Sequence, residues 1–106
     1  MSNWVTYDEG RSIGYISADG GTILWDEEHK LGARITLKRS DSFTSIACQI
    51  YNRIDHTRFL GVSSDEEREY KAMRTALADI MIVIDSAGQN DIKVWEAIAE
   101  FVKRFS

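Results

Sequence analysis

Two short runs gather the side chains best able to do chemistry, Asp26-Glu27-Glu28-His29 and Asp55-His56-Thr57-Arg58. The first is the densest set of metal-ligand types. A zinc or manganese site needs convergent side chains, whereas neighbours on a strand point to opposite faces, so only alternate members such as Asp26 and Glu28 could meet. His29 lies next to Lys30 and just before Gly32, and reads as a solvated hairpin tip; no metal site is expected. The second run offers a base, a hydroxyl and a cation. A Ser-His-Asp arrangement requires an acid that holds the imidazole from behind, and Asp55 beside His56 on one strand faces the wrong way. Arg58 could instead supply a guanidinium fork and His56 a switchable donor for a small anion. The plainer reading makes both of them ordinary exposed strand residues.

Cys48 is the one cysteine, which excludes an internal disulfide and a multi-thiolate metal centre. Within an apolar strand it reads as a small buried hydrophobe, although a nucleophile pairing with His56, eight residues on, is conceivable. Gly20-Gly21 joins two strands and is followed by no Lys-Ser or Lys-Thr, so it is not a phosphate loop. No catalytic residue and no cofactor is assigned.

Around these runs the chain alternates like a sheet. Residues 1–12, with Trp4, Val5 and Tyr7 among polar neighbours, form either an arm or a short strand. Ile13 to Ser17 and Thr22 to Asp26 read as strands joined by a tight turn at Ala18-Asp19-Gly20-Gly21, with Ile23 and Trp25 on one face. Residues 26–32 read as a charged loop closed by Gly32. Ala33 to Arg39 then alternates cleanly, with Ala33, Ile35 and Leu37 against Arg34, Thr36 and Lys38, as in a half-buried antiparallel strand. Arg39 to Ser42 turns the chain into a strand over Phe43 to Tyr51, and Ile54 to Gly61 follows.

If Asn52-Arg53 is a two-residue loop, Tyr51 lies opposite Ile54 and Gln49 opposite His56. One face then carries Ile46, Cys48, Ile50, Asp55, Thr57 and Phe59 as core. The other is open and carries Ala47, Gln49, Tyr51, Ile54, His56 and Arg58. A longer loop would shift the register by one and flip half of this assignment.

Two helices complete the chain. Residues 63–86 open on Ser63 and Ser64, with Glu66 and Glu67 placed for a capping box and Asp65 adding charge at the positive end of the dipole. Tyr70, Met73, Leu77, Ile80, Met81 and Ile84 fall within an arc of about 100°, and Ile82 points away from them. Gly88 suits a left-handed cap. Residues 90–105 form a second helix, capped by Asn90 or Asp91. Its apolar residues, including Ile92, Val94, Trp95, Ile98, Phe101 and Phe105, cover about half the circumference. Trp95 reads as core and Trp4 as an exposed aromatic anchor. The fold expected is α+β, an antiparallel meander of four to five strands followed by two C-terminal helices on one sheet face, all within one domain over residues 1–106.

Composition narrows the function classes. Hydrophobic residues at 43% and charged residues at 28% are ordinary globular values, and a formal net charge of −4 lacks the basic stripe of a nucleic-acid binder. No apolar run reaches membrane-spanning length, and residues 1–10 lack a signal pattern, so a cytoplasmic chain is expected. The first reading is a small acidic, non-enzymatic module that docks an acidic or aromatic surface onto another protein, with Ile82 and the C-terminal helix available to a homodimer. The alternative is a small-molecule binder, or an enzyme without a recognisable motif, that takes an anionic ligand on His56, Arg58, Tyr51 and Gln49.

Overall fold

The computed structural model describes residues 3–61, 65–88 and 90–106. Five strands, β1 (Trp4–Thr6), β2 (Thr22–His29), β3 (Ala33–Arg39), β4 (Thr44–Ile50) and β5 (Ile54–Leu60), form one antiparallel sheet in the order of the chain. Helices α1 (Glu66–Ser86) and α2 (Asp91–Arg104) follow. The architecture is the expected α+β meander with two C-terminal helices.

Alternation makes the sheet one-sided. Ala33, Ile35, Leu37, Ile46 and Cys48 are fully buried, and the cross-strand register places them on a common face. Over that face α1 lays Tyr70, Met73, Leu77, Ile80 and Met81, while α2 contributes Val94, Ile98 and Phe101. Each fully buried side chain of this size is worth about 1.5–3 kcal/mol over leaving it in water, which is why the helices settle here. Asp65 caps α1 by accepting from the Arg68 N–H at 3.1 Å, and Asn90 caps α2 by accepting from the Lys93 N–H at 3.2 Å. Ser63 and Ser64, read as the α1 cap, lie outside the described residues. Gly88 adopts φ 61°, the left-handed conformation expected just past the end of α1.

The N-terminal region departs from the reading of the sequence. β1 pairs with the far half of β2, Trp4 opposite His29. Residues 13–17 are not a strand; they touch β2 through one bridge, Ile16 with Thr22, and hydrogen bonds such as Ile23 N–H to Tyr15 O at 2.9 Å. Left-handed backbone at Asp8, Glu9, Gly10 and Gly14 curls this stretch before it can extend. β2 continues through His29, so the expected charged loop shrinks to residues 30–32. A bulge between Ile23 and Trp25 sends these two side chains to opposite faces, Trp25 opposite Leu37 and Ile23 opposite Lys38.

The β4–β5 turn is also longer than two residues. Ile50 lies opposite Ile54, so Tyr51, Asn52 and Arg53 form the loop, with Asn52 at φ 65°. That single added residue flips β5: His56 and Arg58 share the helix-covered face with Cys48 and Ile46, and Asp55, Thr57 and Phe59 share the open face with Gln49 and Ala47. α2 likewise hides only half of its apolar residues, because it lies at the margin of the sheet; Ile92 is 74% exposed and Trp95 47%. Trp95 is therefore not core.

Candidate functional site

The corrected register divides the residues singled out from the sequence between two environments. His56 and Arg58 lie beneath the helices and serve them. His56 Nε2 donates to the Phe105 carbonyl at 2.9 Å, and its ring meets Phe101 edge-on. Arg58 Nη1 donates to Glu69 Oε2 of α1 at 2.7 Å, and its guanidinium lies 5.8 Å from the Phe105 ring. Each ties a helix to β5. Cys48 is the cross-strand neighbour of His56, so the two residues that could have formed a nucleophile pair do face each other. Burial pushes the Cys48 thiol up to about 12, however, and no thiolate is available near neutral pH.

Trp4 is half-buried rather than an exposed anchor, with its ring edge-on to His29 at 5.0 Å. His29 is 1% exposed rather than solvated. Its Nδ1 accepts from the Leu31 N–H at 3.1 Å, which leaves the proton on Nε2, and burial lowers its pKa, with Lys30 adding to the effect. Beside it, Glu27 accepts from the Tyr70 hydroxyl at 2.8 Å and pairs with Arg74 at 3.2 Å, fixing α1 to β2. Among the described residues no three His, Cys, Asp or Glu side chains converge as metal ligands.

Tyr51 and Gln49 remain on the open side. The Tyr51 hydroxyl donates to Glu28, and burial followed by that hydrogen bond raises its pKa. Gln49 sits directly across from Arg34 on β3 and from Asp55 on β5. Arg34 is the organising residue of this face. Its Nε and Nη2 donate to the two oxygens of Asp26 at 2.9 and 2.7 Å, Thr36 donates to the same carboxylate at 3.0 Å, and the Tyr7 ring stacks on the guanidinium at 3.6 Å. Asp26 is 1% exposed, so its charge is held by partners rather than by water. The hydrogen bond with Asp26 raises the Arg34 pKa further.

The curled segment over residues 8–17 stands beside this face and encloses an open recess of about 520 Å³, whose wall includes Arg11, Ser12, Tyr15, Arg34, Lys38 and Gln49. A second recess of about 550 Å³ lies at the β4–β5 turn, lined by residues 49–55. Gln49 borders both, and Tyr51 the second. Sequence reading missed Asp26 with Arg34 because each looked ordinary alone, one in a charged run and one on the polar side of β3; the signal was their cross-hairpin proximity.

No protein-family model, curated protein or solved structure matches this chain.

Proposed function

We propose that the chain is a non-enzymatic docking module whose open sheet face, on its β4–β5 half, receives another protein. The observation that carries this reading is the one-sided sheet: Phe59 is 65% exposed with Phe43 packed edge-on against it at 5.5 Å, Tyr51 is 40% exposed at the other end of β5, and neither described helix covers this face. Exposed aromatics on an uncovered face are the usual anchors of a protein interface. Asp55 and Thr57 stand exposed between them. With a net charge of −4 the matching partner presents an apolar patch edged by Lys and Arg. The chemistry of the interior agrees with a non-catalytic role, since the Cys48 thiol stays protonated and His56 is engaged by the end of α2.

The test is affinity capture from native lysate, identification of the retained protein, and titration calorimetry with wild type, Phe59→Ser, Asp55→Lys and Ile82→Ser. Loss of at least tenfold in affinity for Phe59→Ser, a smaller loss for Asp55→Lys, and none for Ile82→Ser is expected. A partner lost only in Ile82→Ser would move the interface to the helices and end this reading. The competing arrangement, a homodimer through α2, draws on the exposure of Ile82 (55%), Ile92 and Trp95. Light scattering of wild type against Ile82→Ser with Ile92→Ser distinguishes it, because only a helix-mediated dimer would lose mass.

A further inference from the structure

The recess beside β2 and β3 adjoins the docking surface at Ala47 and Gln49 but differs from it in chemistry. Its acceptors are already engaged. Asp26 takes three hydrogen bonds from Arg34 and Thr36, Asp8 accepts from Arg11 at 3.0 Å, and Asp19 accepts from Ser17 and from the Gly21 N–H. Its donors retain capacity. Arg34 uses only the Nε–Nη2 edge on Asp26, leaving Nη1 and the outer Nη2 hydrogen as a second fork. Lys38 Nζ lies 3.8 Å from Asp19, beyond a hydrogen bond, and a pair this long with a half-exposed carboxylate exchanges easily. The Ser12 hydroxyl is buried and bonds to nothing, and the Gln49 amide makes no hydrogen bond among the described residues.

We propose that this recess binds a small organic carboxylate, received end-on by the Arg34 fork, neutralised by Lys38, and hydrogen-bonded by Ser12 and Gln49. Three features give the site its selectivity. Asp26, Thr36 and Tyr7 immobilise the guanidinium before any ligand arrives, so little ordering is lost on binding. Asp26 already neutralises Arg34, and Asp8 and Glu9 hold Arg11, so the cation left to meet the ligand is Lys38, which exchanges its long contact with Asp19 for the incoming carboxylate. The volume of about 520 Å³ suits a metabolite rather than a lone inorganic ion, and Tyr15 and Ile23 offer apolar surface for its body.

Citrate is the probe, titrated into the full-length 15N-labelled chain at constant ionic strength, with sodium chloride as the control. The expected result is a saturable shift of the Gln49 side-chain amide and the Ser12 backbone amide that chloride does not reproduce. Lys38→Met with Gln49→Leu should weaken the fitted affinity at least tenfold while the remaining spectrum stays dispersed. Ser12→Ala, which removes one hydroxyl from a turn, should weaken it about threefold and serves if the double variant fails to fold. Non-saturating shifts, shifts equal to those from chloride, or affinity unchanged in the variants would overturn the assignment. A docking partner lost from Phe59→Ser leaves this outcome unaffected, so the two readings fail separately.

Discussion

On the helix-covered face, Arg58 and His56 each fasten an element: one grips Glu69 of α1, the other the last turn of α2. On the open face Arg34 is held at least as firmly, by Asp26 and the Tyr7 ring, yet it fastens no helix and keeps a second edge of its guanidinium unused. The same kinds of side chain thus end in opposite roles. What decides is whether a later part of the chain arrives to take up their hydrogen bonds. Helices arrive over His56 and Arg58; beside Arg34 only the curled segment at residues 8–17 does, and it leaves a recess.

Substitutions on the two faces test this contrast. The largest effect is expected at Leu77, fully buried where α1 meets the sheet: Leu77→Ala should cost about 2–5 kcal/mol in urea unfolding, whereas Thr57→Ala on the open face should stay within about 0.5 kcal/mol. Next comes Asp26→Ala, which strands the Arg34 guanidinium; with that side chain 23% exposed, water relieves part of the penalty, and about 2 kcal/mol is expected. Glu69→Ala, which frees Arg58 from a carboxylate that is itself 26% exposed where Asp26 is fully buried, should cost about 1 kcal/mol or less in the same assay. If Glu69→Ala proved the costlier, the open-face pair would not be the better-fixed one.

A pH series probes the covered face directly. Burial lowers the His29 pKa below its ordinary 6.5, so the unfolded chain binds more protons there than the folded one. Stability should be fully present above pH 6.5 and fall as the pH drops below it, with a slope of at most about 1.4 kcal/mol per pH unit. His29→Gln should flatten that limb, and an unchanged slope would remove His29 as its cause. At the alkaline end the sign reverses in pH. Cys48, raised to about 12, ionises more readily unfolded, so its contribution should be lost as pH rises above about 9. A change of similar size to that of Glu69→Ala is expected for His56→Ala, about 1 kcal/mol for a lost hydrogen bond to the Phe105 carbonyl, detectable as earlier amide exchange at the end of α2.

The sequence makes some of this plain and hides the rest for identifiable reasons. β3 announces its faces through strict alternation, and α1 through its stripe from Tyr70 to Met81, because both patterns are imposed by one large buried surface. β1 is only three residues long and has no period to read. The bulge near Leu24 and the third loop residue at Tyr51 each shift a phase by one position, and in a two-residue period that is enough to exchange the faces completely. The site residues suffered most from this. A two-residue turn would group His56 and Arg58 with Gln49 and Tyr51, and the longer turn undoes that register, while Asp26 and Arg34 become partners only across the β2–β3 hairpin.

The sheet order β1-β2-β3-β4-β5 has a kinetic consequence as well. From β3 onward every strand pairs with its predecessor across a short turn, so these hairpins close at low entropic cost, and only β1 must close a longer loop, over residues 7–21. The sheet can zip up from β3–β4, and α1 and α2 then dock on a platform already in place. Refolding should therefore be fast for a protein this rich in strand, with the slower closure of a longer loop confined to β1 at the edge of the sheet.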